Sequence, residues 1–120
     1  MGSKDVVLLV AYSLGMSIGQ VLFKLAAASA NARPQSGFIG ALMGSGYFYV
    51  SIALYGLLTV VWIWILTRIP LSRAYPFVIL TFVFTPALAA LAFGEQLDLW
   101  YFTGLALILS GLGVLIWKAG

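Results

Sequence analysis

From residue 6 to residue 30 the chain reads VVLLVAYSLGMSIGQVLFKLAAASA, an apolar run with one charged side chain in it, Lys24. A hydrocarbon core roughly 30 Å thick takes about 20 helical residues to cross, so the run is long enough to span a bilayer. Inside lipid no water satisfies backbone amides and carbonyls, and a helix satisfies them within itself. Three further apolar runs follow, at about 47–66, 74–93 and 99–117, separated by NARPQSG with the glycine-rich FIGALMGSG, by TRIPLSR and by GEQLD. The expected fold is an all-α membrane protein: four transmembrane helices, one domain over residues 1–120. With 63% of its residues hydrophobic and 8% charged, the chain lacks the polar surface of a water-soluble domain. The first run passes beyond signal-peptide length and leads into more spans, so it is read as a retained helix.

Local signals set the boundaries. Asn31, Arg33, Pro34 and Gly37 stop the first helix, and FIGALMGSG is expected to be interfacial or partly helical. Asp98 is placed to cap the fourth helix. Pro86 falls inside the third, where it releases the carbonyl of Phe82 and is expected to kink the helix. The basic residues Lys4, Arg68, Arg73 and Lys118 share one side, against Arg33 in the opposite loops, which places both termini in the cytoplasm. Glu95 and Asp98 then face outward.

Ser13, Ser17, Gln20 and Lys24 recur at helical spacing and share one face of the first helix. Lipid cannot satisfy such a stripe, so it should face protein or a watered cavity. Lys24 lies roughly 9 Å beyond the middle of its run, about 6 Å below the hydrocarbon edge, so it can either snorkel to water or serve as an anion site. Glu95, on the same side of the membrane, either pairs with Lys24 or a cationic substrate group, or is a solvated loop acid near a helix N-terminus. At the other end Arg68, Ser72, Arg73 and Tyr75 surround the short loop, as a phosphate grip or as residues that set topology and bind lipid head groups. Thr85 beside Pro86 belongs to a hinge or repairs the kink locally. On the fourth helix Gly104, Ala106, Ser110 and Gly111 allow close approach of another helix, as a dimer interface or within the chain.

The chain holds no histidine, no cysteine and three acids, and it lacks a GxxxxGKS loop. Metal sites, cofactor cradles and hydrolytic chemistry are therefore not expected, and nothing beside Lys24 or Glu95 supplies a second catalytic group. The reading is of a transporter and not an enzyme, with no cofactor and no nucleic-acid partner. A four-span chain is about half of an inverted-repeat transporter and would need a second copy or a paralogue beside it.

GQVLFK in the first helix, IPLSRAYP at the second loop, GEQLD at the third and SGLGVLIW in the fourth resemble the drug/metabolite transporter superfamily, over nearly the whole chain. Two of its small four-span branches are relevant. The small multidrug resistance exporters use a carboxylate in the first helix and a tryptophan after the tyrosine of the third; the matching positions here are Met16 and Val78. The subunits of the flippase for undecaprenyl-phosphate-linked aminoarabinose are more similar, through Gly19, Gln20 and Lys24, through Ala74 to Pro76, and through Glu95. That resemblance implies transport of an anionic polyprenyl-phosphate lipid, bare or glycosylated, across a bacterial inner membrane by a homodimer or a heterodimer with a paralogous subunit. Arg68, Arg73 and Tyr75 would receive the phosphate at the cytoplasmic face, Ser17 and Gln20 would solvate it, and Lys24 would hold it near the outer face, with Glu95 acting on the sugar or on Lys24. Export of small cations, and a non-transporting subunit of a membrane glycolipid-modifying complex, are the alternatives.

Overall fold

The computed structural model describes residues 2–119, and in the last helix side chains as far as Trp117. The side chain of Lys118, one of the basic residues used for orientation, lies outside the described residues. The order of elements is α1 (Ser3–Asn31), a 3-10 turn (Pro34–Ser36), α2 (Phe38–Met43), α3 (Gly46–Leu66), α4 (Leu71–Ala74), a 3-10 segment (Tyr75–Leu80), α5 (Thr81–Phe93) and α6 (Leu99–Ala119). Among the described residues four stretches are long and apolar enough to cross a membrane: α1, α3, the composite Leu71–Phe93, and Leu99–Trp117. The chain is thus an all-helical multi-pass membrane protein.

Each boundary has a local cause. Pro34 follows the last turn of α1, and the lead-in to α3 folds as the short α2, whose last carbonyl, that of Met43, accepts from the Tyr49 hydroxyl at 2.6 Å. Gly94 closes α5 in the left-handed region, φ 67°, donating its amide to Ala90; only glycine takes that conformation without a steric penalty. Asp98 caps α6 as the sequence leads one to expect, accepting the Tyr101 amide at Oδ1 over 2.8 Å.

The third span differs from a uniform helix. Six of its residues, Tyr75–Leu80, are 3-10, and Pro86 sits inside α5 beyond them. The buried Ser13 of α1 donates toward the Phe77 carbonyl at 2.8 Å, and Thr81 donates to that of Val78 at 2.8 Å. Hydroxyls thus bond two carbonyls of a segment whose own hydrogen-bond geometry is poorer than that of an α-helix.

The apolar core lies at the end of the bundle where α1 begins and α3 finishes: Leu9, Ile65, Ile69, Ala74 and Phe77 are buried together, with Tyr12 stacked on Trp62 above them. α6 joins through Ile116 and packs on the 3-10 segment. The Cα trace measures 53 × 37 × 18 Å, so its thinnest direction is about two helices deep. The outward face of α6 carries the exposed Ala106, Ser110 and Gly111, and a Cβ built on Gly104 or Gly111 meets nothing within 4 Å.

Candidate functional site

The polar stripe of α1 divides in two. Ser13 and Ser17 are fully buried. Ser13 reaches the Phe77 carbonyl, and Ser17 accepts from the Thr85 hydroxyl at 2.9 Å. This half is a polar seam joining α1 to the third span, the arrangement lipid imposes on hydroxyls that cannot find water. Gln20 and Lys24, further along, are exposed and face open recesses.

Gln20 is held by Tyr55 of α3. Its amide nitrogen donates to the Tyr55 hydroxyl at 2.7 Å, and that hydroxyl donates onward to the Met16 carbonyl at 3.2 Å. The Tyr55 ring lies flat on Phe23, centroids 4.8 Å apart and planes 5° from parallel. Gly19 lets it in: a Cβ there would stand 2.6 Å from the ring carbon Cε2. With one N–H committed to Tyr55, Gln20 keeps its carbonyl oxygen and second N–H for a ligand.

Two recesses open beside this unit. One, of about 410 Å³, is lined by Lys24, Glu95, Gln20, Phe23, Thr85 and Phe93, among others. It brings together Lys24 and Glu95, from α1 and from the loop after α5, though among the described residues no ion pair joins them. The other, of about 400 Å³, is lined by Met16, Gln20, Thr81, Phe82 and Thr85, with Pro86 and Tyr101 completing it. Gln20 and Thr85 are walls of both.

Pro86 has no amide to offer the Phe82 carbonyl. The hydroxyl of Tyr101, from α6, donates to that oxygen. Thr85 does not: its proton goes to Ser17, and of the two readings open for it, hinge or local repair, the bond to α1 replaces local repair of that carbonyl.

At the opposite end the residues around the short loop have separate neighbours. The Arg68 guanidinium lies over the Trp64 ring, 5.2 Å from its centroid, and the Tyr75 ring meets Trp62 edge-on at 6.3 Å. Arg73 and Ser72 line a small hollow against Leu115 and Ile116 of α6, about 50 Å³. Among the described recesses none is lined by both arginines.

Sequence reasoning named neither Tyr55 nor Tyr101 as a site residue. The signal for Tyr55 was a phenol inside an apolar helix, which must find a partner when buried. The signal for Tyr101 was the carbonyl that Pro86 had to release.

The chain is similar to curated proteins that are each named as a probable 4-amino-4-deoxy-L-arabinose-phosphoundecaprenol flippase subunit ArnE. The relative from Pseudomonas fluorescens is 33% identical over 95 residues, 79% of this chain and 82% of that protein. One from Yersinia pestis is 31% identical over 110 residues, 92% of this chain and 94% of the relative. One from Pectobacterium atrosepticum is 34% identical over 67 residues, 56% of this chain and 59% of its own length. Neither a protein-family model nor a solved structure matches the chain.

Proposed function

The chain belongs to the family of ArnE flippase subunits, and we propose that it moves a sugar-bearing polyprenyl-phosphate lipid across the bacterial inner membrane. The observation that carries this reading is the recess shared by Lys24, Gln20 and Glu95. An ammonium and a carboxylate facing one space suit a ligand with an anionic group beside a hydroxylated or amine-bearing one. A phosphate would lie at Lys24, and a sugar hydroxyl or amine at Glu95 and at the Gln20 carbonyl oxygen. The names of the matched relatives contain a phosphate-linked amino sugar.

Arg68 and Arg73, with Tyr75 beside them, act separately in this reading, raising the local concentration of anionic head groups at the cytoplasmic edge. Ser17 holds Thr85 in the wall and does not touch the lipid. Pro86 and Thr85 bound the part of the third span that moves. The single four-helix domain has both termini in the cytoplasm and works beside a second subunit, a copy or a paralogue, docked on Gly104, Ala106, Ser110 and Gly111. The protein is a transporter and not an enzyme. Proton-coupled export of cations is disfavoured because Met16, and no acid, lines the recess on α1.

Reconstitution into proteoliposomes with its partner subunit tests the proposal, by following a labelled glycosylated polyprenyl phosphate between leaflets. Lys24→Ala is expected to abolish flipping while leaving the helices intact; flipping at the wild-type rate would remove the central claim.

A further inference from the structure

The recess between α1, α5 and α6 has a different chemistry from the one that holds Lys24. Its hydroxyls are turned inward: Tyr101 donates to the Phe82 carbonyl, Thr81 to that of Val78, and Thr85 to Ser17. Each spends its one proton on the protein, so together they leave the occupant no hydroxyl proton to accept. What remains, apart from the Gln20 amide at the shared wall, is mostly carbon and sulfur: Met16, Phe82 and Pro86. Methionine beside rigid rings makes an apolar wall that adapts to an irregular shape.

The two recesses share Gln20 and Thr85. A ligand with its phosphate at Lys24 therefore has, one wall away, an apolar hollow of about 400 Å³. We infer that this hollow holds the branched isoprenoid chain next to the phosphate, so that the protein reads the lipid's tail as well as its head. This rests on the reading of the substrate as a polyprenyl phosphate. The occupant follows from continuity: with the sugar at Glu95, the group that enters here is the other substituent of the phosphate, and in the names of the relatives that is undecaprenol. A branched chain puts more carbons into a given length of hollow than a straight one does, and so makes more contacts there.

The test compares two probes on the full chain in detergent micelles: farnesyl phosphate and a straight-chain alkyl phosphate of the same carbon number. Native mass spectrometry reads both affinities. Wild type is expected to favour farnesyl phosphate by about tenfold, the order set by burying a few branch carbons. Met16→Trp and Thr81→Phe fill the hollow from α1 and from α5 and are each expected to bring the two probes to near parity. Circular dichroism confirms that each variant keeps its helices. Lys24→Gln is expected to weaken both probes alike. A preference that survives in both filled variants overturns the inference, as does a wild type that binds the two probes equally and so takes any bilayer chain. Binding of neither probe by wild type overturns the polyprenyl-phosphate reading itself, an outcome distinct from equal binding of both.

Discussion

The Tyr101 hydroxyl donates to the Phe82 carbonyl, the acceptor that Pro86 leaves without an amide. A carbonyl orphaned in hydrocarbon is costly, and α6 supplies the donor that α5 cannot. The bond also ties α6 to α5 at the end far from the apolar core, while Ile116 packs the other end of α6 against that core.

Removing that hydroxyl should therefore matter only because of the proline. Tyr101→Phe is expected to cost about 1 kcal/mol, within the range of interhelical hydrogen bonds in membrane proteins. In a Pro86→Ala background the new amide takes the Phe82 carbonyl, and Tyr101→Phe should then cost close to nothing. Unfolding in mixed micelles, followed by circular dichroism as SDS is titrated in, measures both corners of the cycle. Equal costs in the two backgrounds would show that the hydroxyl serves some other partner.

Gly19→Ala is expected to disrupt the site without touching a polar atom. Its methyl would stand 2.6 Å from Tyr55 Cε2, and the ring has little freedom to retreat, being stacked on Phe23 and bonded to Gln20 and Met16. Overpacking of this kind costs about 1–3 kcal/mol. Tyr55→Leu in the Gly19→Ala background should recover much of that stability but not the flipping rate, because Gln20 stays unheld. Thermal unfolding and the flipping assay separate the two effects.

Ser17 and Lys24 lie on one stripe of α1 and should fail in opposite ways. Ser17→Ala removes the acceptor of the Thr85 hydroxyl and is expected to cost about 0.6 kcal/mol of stability. Binding of farnesyl phosphate should change by less than about twofold, since this hydrogen bond is a modest one and Ser17 lines neither recess. Lys24→Gln should leave the unfolding midpoint alone and weaken phosphate binding. A Ser17→Ala variant that loses phosphate affinity at unchanged stability would place the seam inside the binding site.

Asp98→Ala should loosen the start of α6, at a cost of about 1 kcal/mol, and Asp98→Asn should retain most of the capping energy. Hydrogen exchange at the Tyr101 amide reports the change directly. Because Tyr101 sits one turn into the capped helix, the Ala variant is also expected to relax its hold on Phe82.

The four spans were legible because apolar runs of membrane length alternate with breakers such as Pro34, Pro70 and Gly94, each acting on its own neighbours. Asp98 was legible for the same reason: a cap needs only the next three residues. The 3-10 segment was not. Pro76 tolerates an α-helical first turn equally well, and the bond from Ser13 to Phe77 comes from 64 residues away. The stripe on α1 was visible as a face, but its division into a buried seam and an open half depends on where the third span crosses it. Lys24 and Glu95 could be placed on one side of the membrane by counting crossings, whereas their sharing of one recess is a matter of packing. Arg68 and Arg73, close in sequence, have different neighbours: Trp64 lies under one guanidinium and α6 borders the hollow that the other lines.

The 3-10 segment also sets the angular phase of everything beyond it. Each of its residues advances about 120° and 2.0 Å along the axis, against about 100° and 1.5 Å in an α-helix, so six residues accumulate a turn of about 120° and an extension of about 3 Å. Rewinding Tyr75–Leu80 into α-helix would act as a screw, drawing α5 back and swinging it a third of a revolution. Thr85 would leave Ser17, and Phe82 would leave Tyr101. The two tethers and the 3-10 turn are therefore one setting of the third span.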